Sequence, residues 1–232
     1  MLDGKTFLAV VPARGGSKRL PKKNILDLAG KPLIAWSIEA GLQSKYIDKV
    51  LVTSDDTTIL KIAKKYGADT LQRPQELASD TTSSIDVIIH TINNQNNRYD
   101  FTVLLQPTSP LRSSQDIDEA IELLIQKKAD GVISVCQMEH SPLWANTLPE
   151  NNSMQNFLRP EIKNKRSQEL HSYYRLNGAI YIVNTKKALL EKSLFLSNNI
   201  YAYKMPQNRS IDIDTQLDFD FANYIKIRKL YE

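Results

Sequence analysis

In the stretch "VVPARGGSKRLPKKN", residues 10–24, an apolar run meets Gly15 and Gly16, flanked by Arg14, Lys18, Arg19, Lys22 and Lys23 with no acid among them. Adjacent glycines let a backbone approach a ligand and aim N–H groups at oxyanions. An arginine grips two phosphate oxygens at once, and lysines serve as mobile point charges. The loop has neither the G-x-G-x-x-G spacing of dinucleotide-binding turns nor the G-x-x-x-x-G-K-[ST] of P-loops. It reads as a seat for a small phosphorylated ligand, against the alternative of a solvated basic turn. Far along the chain, "SIDIDT", residues 210–215, alternates Ile211 and Ile213 with Asp212 and Asp214. On a strand, such alternation puts both carboxylates on one side, about 6.5–7 Å apart. There they can converge on a hard cation such as Mg²⁺, which takes carboxylates, phosphates and water. The competing readings are a wet edge strand, or a helix start in which Thr215 and Asp218 form a capping box. Capping explains Thr215 but not the carboxylate pair. A basic loop and paired aspartates in one chain are equipment for chemistry on a nucleoside triphosphate.

Alternating elements must position these residues. "TFLAVVP" is followed by the helical pattern "PLIAWSIEAGLQS", "KVLVTS" by "TTILKIAKKYG", and "DFTVLLQ" by "SQDIDEAIELLIQKK", with "GVISVC" directly after. Strand–helix–strand in this rhythm predicts an α/β fold: a Rossmann-like, doubly wound, mostly parallel sheet with helices on both faces. In such sheets ligands bind beyond the C-terminal strand ends, where the loop after the first strand lies. The rhythm breaks over about residues 137–178, a polar tract that still carries Trp144, Phe157, Tyr173 and Tyr174, and resumes with "GAIYIVN", "TKKALLEKS", "IYAYKM" and a closing helix "TQLDFDFANYIKIRKLYE". The break reads as an inserted arm over residues 140–178 within a single domain of residues 1–232.

Composition bounds the function. With 41% hydrophobic and 24% charged residues the chain has the make-up of a globular protein. No apolar run approaches the ~20 residues that span a bilayer, so no membrane role is expected. The net charge of +4 is concentrated in the opening loop, without interleaved aromatic residues, which argues against a nucleic-acid partner. The one cysteine, Cys136, lies in an apolar run and reads as a core residue of a cytoplasmic protein.

Taken together, "PARGGSKRLPKKN", "GKPLIAWSI", "RPQELASDTTSS", "LLQPTSPLR", "NGAIYI" and "SIDIDT" resemble the acylneuraminate cytidylyltransferases, the CMP-sialic acid synthetase family, in family order and over nearly the whole chain. The resemblance implies a transferase that joins CTP to a nine-carbon acidic keto sugar, by direct attack of the anomeric hydroxyl on the α-phosphorus, with Mg²⁺ as cofactor. Arg14, Lys23 and Asn24 match triphosphate-binding positions, and Gly15, Gly16, Ser17 and Lys18 complete that loop. Arg73 and Ser84 match positions that select cytosine, with Thr82 beside them among the CTP-binding positions. Gln106 and Arg175 match sugar-end positions. Asp212 and Asp214 match the magnesium ligands and, with Arg14 and Lys23, form the implied catalytic set. The arm resembles a dimerisation element that completes the neighbouring subunit's site, implying a homodimer. Trp144 stands where several sialic acid enzymes carry a lysine. An indole there suits a less hydroxylated sugar, so N-acetylneuraminate and N,N'-diacetyllegionaminate are equal candidates. Pseudaminate or the eight-carbon acid KDO are alternatives, and a non-catalytic nucleotide-binding protein is the alternative of another class.

Overall fold

The run "FLAVVP" has no polar side chain and folds as β1 (Phe7–Pro12), buried over its first five residues, as a strand covered on both faces must be. The computed structural model describes residues 1–229. After β1 come a small hairpin, β2 (Asp27–Leu28) and β3 (Lys31–Pro32), then α1 (Leu33–Gln43), β4 (Lys49–Ser54), α2 (Thr57–Lys65) and β5 (Asp69–Gln72). The chain continues through α3 (Ser84–Asn93), β6 (Phe101–Leu104), α4 (Ser114–Gln126) and β7 (Gly131–Gln137). It ends with β8 (Tyr174–Asn184), α5 (Thr185–Glu191), β9 (Ile200–Met205) and α6 (Gln216–Arg228). The closing-helix pattern ran on to Leu230, Tyr231 and Glu232, which lie outside the described residues.

The seven-stranded sheet has the order β5-β4-β1-β6-β8-β7-β9. β1 pairs parallel with β4 and β6, β4 with β5, and β7 with β9. This is the Rossmann-like, mostly parallel sheet expected from the alternation. Helices α1, α2 and α4 pack on one face through Ile34, Ile38, Ile59, Ile117 and Ile121 against Ala9 and Val11. On the other face Ile88 of α3 and Ala188 of α5 pack against Leu8, Val10 and Leu104. Cys136 is a buried core residue, as expected.

The structure departs from the sequence reading in three places. β8 runs antiparallel to both β6 and β7, because no crossover helix separates it from β7. The intervening segment, residues 138–173, holds only two 3-10 turns, Pro142–Trp144 and Ser167–Glu169, so the chain re-enters the sheet from the end at which it left. The strand begins at Tyr174, inside the arm assigned to residues 140–178. Third, "SIDIDT" belongs to no strand, and Ser210, at φ −114° and ψ 27°, is not extended.

Antiparallel β8 has a consequence for the site. Its N-terminal residues lie at the same edge of the sheet as the C-terminal ends of β1, β4 and β6. Gly178 therefore arrives beside Gln106, just beyond β6.

Candidate active site

The loops beyond β1, β5 and β6 line a cleft of about 500 Å³. Arg14, Ser17, Lys18, Lys23 and Asn24 line it from the opening loop. Arg73, Thr82 and Ser84 line it from the segment between β5 and α3, with Gln106 and Asp214 completing the wall. These ten sequence-predicted residues therefore meet in one place.

The cationic side is held by local acids. Arg14 and Lys18 both pair with Asp80, Arg14 at 2.6 Å. These contacts, Lys18 first, hold the Asp80 carboxyl below the usual carboxylate range. Lys22, at φ 56°, reverses the loop, and the 3-10 turn Lys23–Ile25 follows. Asn24 is buried and donates its side-chain amide to the Arg14 carbonyl at 3.0 Å, tying the two ends of the loop together. Gly15 does not act as the sequence suggested. The Gly15 N–H is donated to Asp55 at 3.0 Å rather than left for an oxyanion. A Cβ there would meet Asp56 at 2.9 Å, whereas one at Gly16 would have open space. Gly15 is thus required by close packing on the β4 end.

The acidic side is anchored to α6. Thr215 and Asp218 form the capping box, and Asp218 also accepts the Asp214 N–H at 3.1 Å. Ile213 is fully buried against Leu28, Phe219 and Ala222, and its N–H donates to the Thr108 carbonyl at 2.8 Å. The isoleucine that suggested a strand is instead the peg that seats the aspartates. Lys23 reaches across, donating to the Ile213 carbonyl and lying 3.4 Å from Asp214, which also pairs with Arg19 at 3.2 Å. The loop and the aspartates thus share a wall. Asp212 is solvent-accessible, yet the protein around it and the charge of Asp214 raise its pKa, against a hydrogen bond from Thr108 that lowers it.

Gly178, at φ +73°, brings β8 onto this wall: a Cβ there would lie 2.7 Å from Gln106 Oε1 and 3.4 Å from Asp212 Oδ2. Beneath them the fully buried Arg112 donates to the Ala179 carbonyl at 2.7 Å, to Ser37 Oγ at 2.6 Å and to the Gln106 carbonyl at 3.3 Å. Burial pulls its pKa down to about 10, so it stays charged at neutral pH. Arg175 pairs with Glu139 at 3.1 Å and approaches the Ser210 carbonyl at 3.5 Å. It stands beside the aspartate segment, outside the cleft wall. Trp144 is half-buried on the arm and is not among the described residues that line the cleft.

No group of three or more His, Cys, Asp or Glu among the described residues is arranged to hold a metal ion. Asp212 and Asp214 nonetheless fit Mg²⁺, which completes its coordination with phosphate oxygens and water. Asp212 has no cationic ion-pair partner within 4 Å among the described residues, and its repulsion with Asp214 is of the kind a divalent ion relieves. Sequence reasoning missed Asp80, Asp55, Arg112 and Gly178. Asp80 stands inside the quoted "SDTTSS" and Asp55 directly after a predicted strand end, so their acid type in a cationic neighbourhood was the available signal.

The profile of the family described as Cytidylyltransferase matches residues 8–232. A pseudaminic acid cytidylyltransferase of Campylobacter jejuni is 37% identical over 222 residues, covering 94% of this chain and 95% of the relative. A CMP-N,N'-diacetyllegionaminic acid synthase of Legionella pneumophila is 38% identical over 225 residues, covering 92% and 93%. An N-acylneuraminate cytidylyltransferase of Escherichia coli is 40% identical over 224 residues, 96% of this chain but 52% of the longer relative. Among solved structures, a CMP:2-keto-3-deoxy-manno-octonic acid synthetase complexed with CTP superposes with a TM-score of 0.74 at 19% identity, covering 97% of this chain and 99% of that one. At that identity the likeness is one of fold. No helix of the described residues is long and apolar enough to cross a membrane.

Proposed function

The chain belongs to the cytidylyltransferase family, and on that premise we propose that it transfers CMP from CTP to a nine-carbon acidic keto sugar and releases pyrophosphate. The observation that carries this reading is the shared wall: Lys23 joins the phosphate loop to Asp214 at 3.4 Å. One triphosphate lying along that wall meets cations at its β- and γ-phosphates and carboxylates at its α-phosphate.

In this reading Arg14, Lys18 and Lys23 take up the charge that grows on the departing pyrophosphate. Arg73, buried at 4% exposure, donates to O2 and N3 of cytosine, while Ser84 and Thr82 line the base end. Gln106 orients the sugar so that its anomeric oxygen faces the α-phosphorus, the geometry that dominates phosphoryl-transfer catalysis. The new bond forms from that oxygen to the α-phosphorus as the bond to the β-phosphate oxygen breaks. Asp212 and Asp214 are the residues that would hold a magnesium ion, whose chemistry there is to polarise phosphate oxygens and acidify a bound hydroxyl.

The sugar is a nonulosonic acid. Relatives named for pseudaminic, diacetyllegionaminic and N-acylneuraminic acids lie at 37–40% identity, so the choice rests on the arm and its Trp144. An indole favours a deoxy or di-acylated sugar, N,N'-diacetyllegionaminate, as much as N-acetylneuraminate. The exposed apolar residues of the arm support a homodimer in which each arm borders the partner's sugar pocket.

The test is pyrophosphate release from CTP and Mg²⁺ with a panel of the three nonulosonic acids and KDO. Release with at least one nine-carbon acid and none without sugar is expected. Asp212→Ala is expected to abolish turnover while CTP still binds. Full activity in that variant removes the metal role, and no release with any of the acids overturns the assignment.

A further inference from the structure

At the C-terminal end of β4 the chain reads Ser54-Asp55-Asp56. Asp56 is occupied as the cap of α2, accepting the Thr58 and Ile59 N–H groups. Asp55 does something else. Its side chain is 11% exposed, and its Oδ1 accepts the Gly15 N–H at 3.0 Å. The same oxygen lies 3.8 Å from Nη2 of Arg73. Its backbone carbonyl accepts from the Gln72 side chain at 3.0 Å, and the adjacent Ser54 carbonyl accepts the Arg73 N–H at 2.8 Å. One short segment therefore fixes two walls of the cleft, the glycine loop and the buried arginine.

Arg73 needs such a partner. It is 4% exposed, and its Nε has no hydrogen-bond partner among the described residues. A buried guanidinium is costly unless an anion balances it. Burial, then the like charge of Arg14, pulls the Arg73 pKa down, and Asp55 opposes both. The ion pair also sets direction. With Nη2 3.8 Å from Asp55, the carboxylate restrains the direction of the planar fork, whose Nε is buried away from solvent.

We propose that Asp55 is a positioning residue that locks Arg73 and the glycine loop in one register, and so sets discrimination between cytosine and uracil. The proposal rests on the reading above, in which Arg73 meets the base and the opening loop the triphosphate. Cytosine accepts at N3 and uracil donates there, so an arginine aimed at O2 and N3 rejects uracil only while its direction is held. Covalent structure fixes the distance from a pyrimidine to its triphosphate, and one carboxylate touching both walls keeps the seat at that length.

The experiment uses Asp55→Asn, which keeps the oxygen for the Gly15 N–H but removes the charge, and Asp55→Ala, which removes both, beside Arg73→Ala. The readouts are the KM for CTP, the inhibition constant of UTP against CTP, and the Kd of inorganic pyrophosphate by calorimetry, with thermal midpoints taken alongside. Asp55→Asn is expected to lower the ratio of UTP inhibition constant to CTP KM by roughly tenfold, the weight of one charge-assisted contact. Its pyrophosphate Kd should stay within about twofold, whereas Asp55→Ala should weaken pyrophosphate as well, because the loop loses its acceptor. Ratios and Kd values are unaffected by a smaller folded fraction, so a purely structural role would lower the midpoint and leave them unmoved. An unchanged base ratio in Asp55→Asn, with a collapsed one in Arg73→Ala, overturns the role of Asp55 alone. An unchanged ratio in Arg73→Ala overturns the base reading beneath it, and the role of Asp55 with it.

Discussion

At the scale of single residues, the site depends on how closely three elements are packed, and Gly178 is where they meet. Its φ of +73° is costly for any side chain, and a Cβ would lie 2.7 Å from Gln106 Oε1. Gly178→Ala should therefore cost about 1–2 kcal/mol of stability from the backbone alone. It should also push Gln106 off its position and lower kcat/KM for the sugar by about tenfold or more. CTP affinity, which the proposed assignment places with Arg14, Lys23 and Arg73, should hold. Steady-state kinetics beside CTP calorimetry separate the two, and an equal loss for both substrates would mean that Gly178 serves the fold only. Much at this scale was legible. Arg14 and Lys23 announced themselves by charge beside the paired glycines, the aspartates by their pairing, and Asn24 only through the family resemblance. Asp55 and Arg112 did not, because their importance comes from what folds against them: a carboxylate under a glycine loop, a buried guanidinium under two carbonyls. Sequence spacing records neither.

At the scale of elements, the sheet was readable and its exceptions have physical causes. Long apolar runs marked β1, β4, β6 and β7. β5 and α3 lay outside the alternation read from the sequence: β5 is a four-residue edge strand without a buried residue, and α3 opens within the polar "SDTTSS" run. "SIDIDT" alternates like a strand, yet it pairs with none and is seated by one buried isoleucine and a capping box. The parallel pairing of β1 with β6 carries a pH signature. Asp100, just before β6, accepts the Thr6 N–H and hydroxyl at 3.0 Å each. The Thr6 backbone bond foremost holds its pKa below the ordinary 3.8. A depressed carboxylate stabilises the fold above its unfolded pKa and ceases to do so as pH falls through the folded value. Asp100→Asn should thus be less stable than the wild type at pH 7, and the gap should close below a pH of about 4. Urea unfolding at both pH values checks this, and a gap independent of pH would assign the effect to shape instead of charge.

At the scale of the whole molecule, the arm is the part that the fold does not explain. A segment running from residue 138 to residue 173 with two 3-10 turns but no α-helix or strand is long for a compact domain and calls for a function. It leaves Leu148 55%, Met154 61% and Tyr173 38% exposed, and Tyr174 and Leu176 at the start of β8 are 42% and 49% exposed. Exposed apolar residues along one segment fit the homodimer proposed above, and a lasting interface buries at least about 1,000 Å² in total. The same stretch of chain leads into Arg175 and Gly178, beside the aspartate segment and Gln106, so the proposed assembly and the proposed sugar end would be mechanically joined. Sedimentation should give twice the chain mass of 26.4 kDa. Leu148→Glu with Met154→Glu places two buried charges in that interface and should shift the protein to monomer, since such burial is strongly disfavoured. The expected kinetic mark is a raised KM for the sugar with CTP binding preserved, because the proposed nucleotide seat draws on one chain's loops beyond β1, β5 and β6. A double variant that stays dimeric would move the interface away from the arm. A monomer with an unaltered sugar KM would show each cleft to be complete within a single chain.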